Sequence, residues 1–370
     1  WLVSTPLIAV FFHLVSPVAL VANLVVVPLA FVMLLAACMS LLAGVVHPLG
    51  AEVFNHANHV LVSLLLRSVE FFHAWPHGHW FVEAPPLWAV VLWLAVVTAL
   101  LRGGRRMRRV AAAVAVLAAG LLLARHLADR RVRIDTTLMG TTPVVFANLP
   151  GPEDWLIDTG PAWMSQRLTR FLRAQGVDGL AVLVLSRASV RTTGGVLELL
   201  DHVPVREVWV PDVASRSPAY VALLEQVAQR GIAIRRLARG DQGYAAGGVF
   251  WEVLQPARAG TYRTADDAAL VLRLARGPSS VLYVGSDDAE REGELLEQPI
   301  SVGASGLILG AQELASAGTA AWLAAVQPAH IVRPFPAELA ADPAALEQRE
   351  RLEAAGVTVW DAADGLVVRL

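Results

Sequence analysis

Residues 18–46 run for 29 positions without a charged side chain, interrupted only by Pro28. A bilayer crossing needs about 20 apolar residues, so this run predicts a span, or a segment broken at the proline that enters the membrane and returns. Two further apolar runs, 87–101 and 110–124, flank the sequence RGGRRMRR at 102–109. They read as a transmembrane hairpin whose tight, five-arginine turn lies in the cytoplasm. The second arm then delivers everything after Arg125 to the far side. Between the spans, 51–74 sets Val53, Val60, Leu64 and Phe71 apart from His56, His59, Arg67 and Glu70. That pattern predicts an amphipathic helix, lying on the interface or lining a bundle.

From Val132 the period changes. Short apolar runs predict strands at 144–147, 155–157, 181–185, 205–210, 232–234, 249–254, 269–274, 281–284, 306–309, 331–332, 357–359 and 366–370. Helical patterns fall between them at 164–174, 196–201, 220–230, 289–297, 319–326 and 343–355. Strands alternating with helices argue for an α/β layer architecture behind an α-helical membrane segment.

Composition sharpens that division. The chain is 55% hydrophobic with a mean hydropathy of +0.53, too apolar for an average soluble protein and too charged in places for a pure membrane bundle. Residues 1–128 hold three acids and seven arginines, a formal +4, while 129–370 hold 29 acids and 23 arginines, a formal −6. The boundary is therefore set near Ala128, giving a membrane region 1–128 and a soluble domain 129–370. All 30 basic residues are arginine, a uniformity that points to coding composition rather than to binding. The single cysteine, Cys38, excludes an internal disulfide, a CxxC pair and a cysteine zinc site. With Trp1 already inside an apolar segment, the chain reads as the C-terminal portion of a longer protein.

Candidate chemistry is sparse. His56-x-x-His59 and His77-x-His79 have chelating spacing, but histidine beside tryptophan, as in HAWPHGHW at 73–80, is also ordinary at a membrane interface, and that reading is preferred. Only His202 and His330 lie beyond residue 128. Ser186 or Ser189 could be drawn with His202 and an aspartate as a triad, yet no GxSxG elbow accompanies them, and neither a Walker loop nor a GxGxxG fingerprint is present.

The order of parts in the second half nevertheless carries a resemblance. Ile157-Asp158-Thr159-Gly160 follows an apolar strand, LVLSRASVRTTGG occupies 183–195, and WEVLQP, DDAALVLRL, VLYVGSD and LILGAQELAS follow at 251–256, 266–274, 281–287 and 307–316. This series resembles the metallo-β-lactamase-type hydrolases. The resemblance implies a two-sheet αββα sandwich, with Asp158 and Gly160 shaping a turn after a strand and Gly194 and Gly195 opening a helix by close backbone approach. In that family the loop reads S-H-x-H-x-D-H-x-G-G, and its imidazoles and carboxylate hold zinc. Here Arg187, Ser189, Arg191 and Thr192 stand at those positions. Gln255 replaces a histidine before proline, Ser286 the bridging aspartate, and Ala311 and Gln312 a histidine pair. Guanidiniums have no lone pair to donate and repel a dication. The resemblance therefore implies a sandwich lacking its metal ligands, with neither metal nor cofactor and no catalysis. Arg187 and Arg191, joined by Arg273 or Arg333, could instead face a phosphate. A solvated loop whose arginines fill a vacated cleft is the alternative, favoured by the negative charge of this half.

The first segment carries a second resemblance. TPLIAVFFHLVSPVALVANLVVVPLAF at 5–31 contains Phe12-His13-x-x-Ser16, then Ala22-Asn23-Leu24, then Pro28. It resembles the competence-domain signature of ComEC-type DNA-internalisation proteins. That implies a multi-pass inner (plasma) membrane protein forming a channel for single-stranded DNA during natural transformation, its C-terminal domain periplasmic or extracellular. His13, Ser16, Asn23 and Pro28 become channel candidates, since polar groups in a lipid-compatible segment face a bundle interior or a water path. Single-stranded DNA, membrane lipid, other DNA-uptake proteins and a second copy of the chain are the implied partners. A diverged membrane scaffold or protein-binding module with no transport role is the alternative.

Overall fold

In an apolar medium a backbone must satisfy its own hydrogen bonds, and the 29-residue run does so as one continuous helix. The computed structural model describes residues 3–76, 78–128, 132–215, 217–258, 260, 262, 268–285, 289–310, 317–335, 342–362 and 366–369. It divides into two compact units, residues 1–120 with 173–177, and 121–172 with 178–370. The N-terminal unit runs α1 (Thr5–Phe12), β1 (Leu14–Val15), α2 (Val18–Val46), α3 (Pro48–His73), β2 (Trp80–Phe81) and α4 (Leu87–Arg102), with α5 (Arg105–Ala128) crossing the division. Among the described residues α2 alone is long and apolar enough to cross a membrane.

Three expectations change here. Pro28 does not break α2, because a proline forfeits one backbone bond while the apolar run on either side keeps the rest. The 102–109 segment is not a turn of eight residues. Only Gly103 and Gly104 leave the helix, and Arg105 already begins α5, arginine being a good helix former. α3 is helical where an amphipathic helix was predicted, but its half-buried stripe is Ala51, Phe54, Asn58, Leu61 and Leu65, while Val53, Val60, Leu64 and Phe71 are exposed. The helix is apolar on more than one side, so periodicity did not single out the packed face. α3 folds back on α2 through the single residue His47, whose Nδ1 accepts the Leu49 N–H at 3.2 Å. Small residues make the approach possible: a Cβ on Gly50 would sit 3.0 Å from that of Ala43. Ser40, buried between the helices, donates to Asn55 Oδ1 at 2.7 Å.

The C-terminal unit is two seven-stranded sheets. In chain order its elements are β3 (Arg133–Met139), β4 (Thr142–Asn148), β5 (Trp155–Ile157), α6 (Ser165–Ala174), β6 (Leu180–Val184), α7 (Val190–Thr193), α8 (Val196–His202), β7 (Val205–Pro211), α9 (Pro218–Gln229) and β8 (Ala233–Leu237). They continue with β9 (Gln242–Ala245), β10 (Val249–Gln255), β11 (Val271–Arg276), β12 (Ser279–Val284), α10 (Ala289–Leu296), β13 (Gly306–Leu309), α11 (Ala320–Val326), β14 (His330–Arg333), α12 (Pro343–Ala354), β15 (Thr358–Asp361) and β16 (Leu366–Arg369). The first sheet is ordered β16-β3-β4-β5-β6-β7-β8 and the second β15-β14-β13-β12-β11-β10-β9. Each opens with antiparallel strands and continues with parallel ones reached through helices, so the two halves repeat one plan. β16 returns to the first sheet beside β3, the first strand of this unit.

Side chains from both sheets form a shared core, with Ile134, Ile157 and Val184 from one and Val253, Leu272 and Ile308 from the other. A second core joins the outer face of the second sheet to its helices through Leu282, Leu295, Trp322 and Leu352. This is the αββα sandwich, with the hydrophobic stripes of helices and sheets buried layer against layer. Capping places the helices: Ser217, Thr319 and Asp342 precede α9, α11 and α12 and accept amide N–H groups of their first turns. Two strands fall outside the predicted set. β3 interleaves Arg133, Asp135 and Thr137 with Ile134 and Leu138, and β9 is the polar, glycine-bearing sequence QGYA on an edge. β8 also extends past the predicted 232–234, through Arg235 and Arg236.

The turn from β4 to β5 holds a titratable group. Asp154 Oδ1 accepts the Leu149 N–H at 2.9 Å, and its carbonyl accepts from Ala181. Burial pushes the Asp154 carboxyl up to about 7, against the Leu149 amide and Arg133, which lower it. The folded chain thus keeps a proton that the unfolded chain releases near 3.8, so this group's contribution to stability is lost as pH rises from about 4 to about 7. Asp154→Asn keeps the acceptor and removes the titration. Urea unfolding of the variant from pH 5 to 8 is expected to show a flatter profile than the parent, with a midpoint at pH 8 no lower than the parent's.

Candidate functional site

At the ends of β5, β6 and β12 one carboxylate draws both sheets together. Asp158 leaves β5 with φ 61°, a conformation aspartate tolerates better than most residues, and it is completely buried. Its Oδ1 accepts the Ser186 N–H at 2.8 Å, and its Oδ2 accepts the Ser186 hydroxyl at 2.6 Å and the Tyr283 hydroxyl at 2.7 Å. Ser186 follows β6 in the first sheet, whereas Tyr283 lies on β12 in the second. The Ser186 carbonyl accepts the Leu270 N–H at 2.7 Å, a second bond across the layers. Gly285 permits this approach, since a Cβ there would lie 3.0 Å from Ser186 Cβ and 2.9 Å from the Leu270 carbonyl oxygen.

Burial pushes the Asp158 carboxyl up, while the Ser186 and Tyr283 hydrogen bonds and the charge of Arg187 hold it down. Burial, followed by the Asp158 charge, holds the Tyr283 hydroxyl well above the ordinary tyrosine range, so it stays protonated and donates. Arg187 is 1% exposed, next to this cluster. Arg191, four positions on, is exposed. Between them Ser189 starts the single turn of α7, its Oγ accepting from the Arg191 N–H and its carbonyl accepting the hydroxyls of Thr192 at 3.0 Å and Thr193 at 2.9 Å. The Thr192 carbonyl in turn accepts the N–H groups of Thr159 and Gly160 at 2.9 and 3.1 Å. Gly160 has φ 74°, and a Cβ there would sit 2.5 Å from Met139 Cβ. A Cβ on Gly194 would fall 2.6 Å from the Val190 carbonyl oxygen, and the Gly195 N–H donates to the Gly160 carbonyl at 3.0 Å.

The two arginines of the loop therefore do not converge on one ligand. The residues proposed to join them are engaged elsewhere: Arg273 pairs with Glu252 across β10 and β11, and Arg333 with Asp361 at 2.8 Å. The loop is also not wholly solvated, because the turn of α7 aims Arg187 inward and Arg191 outward. Gln255 is buried at the end of β10. Ser286, Ala311 and Gln312 lie outside the described residues, as do Asp266, Asp267, Asp287 and Asp288. His202 is exposed at the end of α8, with Nδ1 on the Glu198 carbonyl, and the Ser186 hydroxyl is committed to Asp158, so no triad forms between them.

Among the described residues the donors here do not fit a metal. Asp158 is the one described acid at the centre, both its oxygens already accept protein donors, and the charge of Arg187 acts on it. Among the described residues no three His, Cys, Asp or Glu side chains group as metal ligands.

In the N-terminal unit, His13 ends α1 with φ 53°, and its carbonyl accepts the Val82 N–H at 2.9 Å. Ser16 donates to the Gly78 carbonyl at 3.1 Å, and β1 pairs with β2, so the FHxxS element closes a short joint. Asn23 and Pro28 lie on exposed positions of α2, and the Asn23 side chain makes no hydrogen bond to the described residues. His56 bonds the Glu52 carbonyl, His73 stacks on His79 at 6.4 Å, and His77 is outside the described residues.

Comparison with known proteins divides along the chain. Residues 1–107 match the family described as Competence protein. No curated protein matches the sequence. Among solved structures, the metallo-β-lactamase fold protein YhfI from Bacillus subtilis is 14% identical, with a TM-score of 0.44 over 65% of this chain and 100% of its own. Zinc-bound PqqB from Methylobacterium extorquens is 14% identical, TM-score 0.41, over 61% of this chain and 87% of its own. CmlA, a diiron β-hydroxylase from Streptomyces venezuelae, is 13% identical, TM-score 0.46, over 80% of this chain and 65% of its own.

Removing the hydroxyl from Tyr283 strips one donor from a buried carboxylate without changing volume. Tyr283→Phe is expected to cost about 1–3 kcal/mol in urea unfolding followed by tryptophan fluorescence. Gly160→Ala combines a left-handed φ with a clash against Met139, and the same measurement is expected to show a loss of about 2 kcal/mol or more.

Proposed function

We propose that this chain, whose residues 1–107 match the family described as Competence protein, forms part of an inner-membrane channel that imports single-stranded DNA during natural transformation, and that its αββα domain is catalytically silent. The family match of the N-terminal region carries the transport reading. The properties of α2 support it. At about 1.5 Å per residue it exceeds a bilayer core of about 30 Å, it exposes apolar side chains such as Leu24, Phe31 and Leu41, and it carries Asn23 among them. An amide in such a helix is costly against lipid, so it faces either a neighbouring helix or a water-filled path. In this reading α4 and α5 supply further membrane segments, and the C-terminal domain stands on the outer side, near where DNA enters.

The silent domain is supported by the residues at the ligand positions. A hydrolase of the resembled kind needs carboxylate and imidazole lone pairs for its metal, whereas the described residues at those positions, Arg187, Ser189, Arg191, Thr192 and Gln255, offer neither. Degradation of the strand that is not imported falls to a separate nuclease among the other DNA-uptake proteins.

Uptake of end-labelled DNA into the cytoplasm of the native host tests the transport reading, comparing the intact gene, an in-frame deletion of this region and Asn23→Leu. Both changes are expected to abolish uptake while the membrane level of the point variant holds. Unchanged uptake would replace the channel by a membrane scaffold. For the silent domain, the purified chain is expected to hold substoichiometric zinc and manganese and to show no chelator-sensitive DNA hydrolysis. Stoichiometric metal with hydrolysis abolished by chelator would overturn it.

A further inference from the structure

Where the two sheets end at the neighbouring edge strands β8 and β9, a cleft of about 560 Å³ opens. Its floor is three indoles. Trp155 and Trp209 come from the first sheet and Trp251 from the second, and the Trp209 ring lies 4.7 Å from each of the other two. Arg235, on β8, lays its guanidinium over Trp209 and Trp251, 5.2 and 5.1 Å from their ring centres. The indole faces hold the cation in place, while its N–H groups make no hydrogen bond or ion pair to the described residues. The indole N–H of Trp209, a residue only 3% exposed, likewise has no acceptor there. At the mouth, Tyr244 of β9 is 77% exposed, its ring 5.4 Å from that of Phe250. Two acids also line the cleft. Glu153 is paired with Arg206 at 2.9 Å, and Glu207 has no cationic partner among the described residues.

We propose that this cleft holds one nucleotide unit of a single-stranded nucleic acid, with its phosphodiester on Arg235 and its base on the ring of Tyr244. A guanidinium fixed on aromatic faces, with its planar fork unspent, suits two phosphate oxygens. An exposed tyrosine ring is a stacking surface for a base that is not already stacked in a duplex. Glu207 selects within that class. One unspent cation beside one carboxylate suits the single charge of a phosphodiester better than the two charges of a terminal phosphate, and Glu207 can accept an N–H from the base edge. The volume suits one nucleotide and is too small for a duplex. The source of the ligand, DNA crossing the membrane, rests on the function proposed above.

The test is fluorescence anisotropy of a 5′-labelled oligodeoxythymidylate titrated with the full chain in detergent, with a hairpin duplex and thymidine monophosphate as competitors. Arg235→Gln and Tyr244→Ala are each expected to weaken binding about tenfold or more, and the monophosphate to compete far less well than unlabelled oligonucleotide. Arg235→Gln should also lower the salt slope by about 0.7, the share of one phosphate contact on a single strand. Binding that both variants leave unchanged would overturn the assignment, as would a monophosphate competing as well as the oligonucleotide. Should Arg235→Gln disturb the edge strand, Tyr244→Ala decides, because that ring is mostly solvent-exposed. Normal cellular uptake by both variants alongside unchanged oligonucleotide binding would remove the cleft alone, whereas uptake that survives deletion of the whole region would remove the transport reading and leave a measured cleft affinity standing.

Discussion

A carboxylate taken wholly out of water must be answered by donors, and around Asp158 that requirement organises the sandwich. It fixes where β5 ends, since the aspartate takes a left-handed turn to bring its oxygens under Ser186. It fixes the spacing of the layers, since Tyr283 must reach across from the second sheet to complete the set. Burial raises the carboxyl, and a buried arginine beside it adds its charge to the Ser186 and Tyr283 hydrogen bonds that lower it. A hydrophobic core of similar volume would pack these sheets without specifying their register. A buried, fully bonded polar cluster tolerates far fewer arrangements.

The same accounting governs the N-terminal unit in a different medium. α2 and α3 satisfy their backbones internally and meet through Gly44, Gly50, Ala43 and Ala51, with Ser40 and Asn55 bonded between them. Against lipid there is little hydrophobic gain in packing two apolar helices, so small residues and a few internal hydrogen bonds carry the association. Asn23 departs from that economy, since its side-chain amide, on an otherwise apolar surface, makes no hydrogen bond to the described residues.

Much of the architecture was legible in the sequence because it was written in apolar runs. The strands β4, β5, β10, β12 and β13 fall where such runs do, α11 and α12 lie within the helical patterns at 319–326 and 343–355, and their alternation gives the α/β layers, while the αββα plan came from the resemblance. What escaped was what polarity disguises. β3 hides behind Arg133, Asp135 and Thr137, whose demands are met by partners rather than by solvent, as in the 3.0 Å pair of Arg133 with Asp135. In the candidate site, the places of Asp158 and the glycines followed from the resemblance, but the fates of Arg187 and Arg191 did not. Two identical side chains four residues apart are separated only by the turn of α7, which has no hydrophobic signature. Tyr283 was also missed. Its signal was a hydroxyl inside an otherwise apolar strand, VLYV, a group that when buried must find an acceptor.

The central claim is that a protein cation, Arg187, acts on the buried carboxyl of Asp158 together with its hydrogen-bond donors. A double-mutant cycle of Asp158→Asn and Arg187→Met, read by urea unfolding at neutral pH, addresses it most directly. The account predicts that the two residues are coupled by about 1–3 kcal/mol, the second substitution costing much less once the first has been made. Strictly additive losses would show that the two charges do not answer one another, and the account of the site would fail.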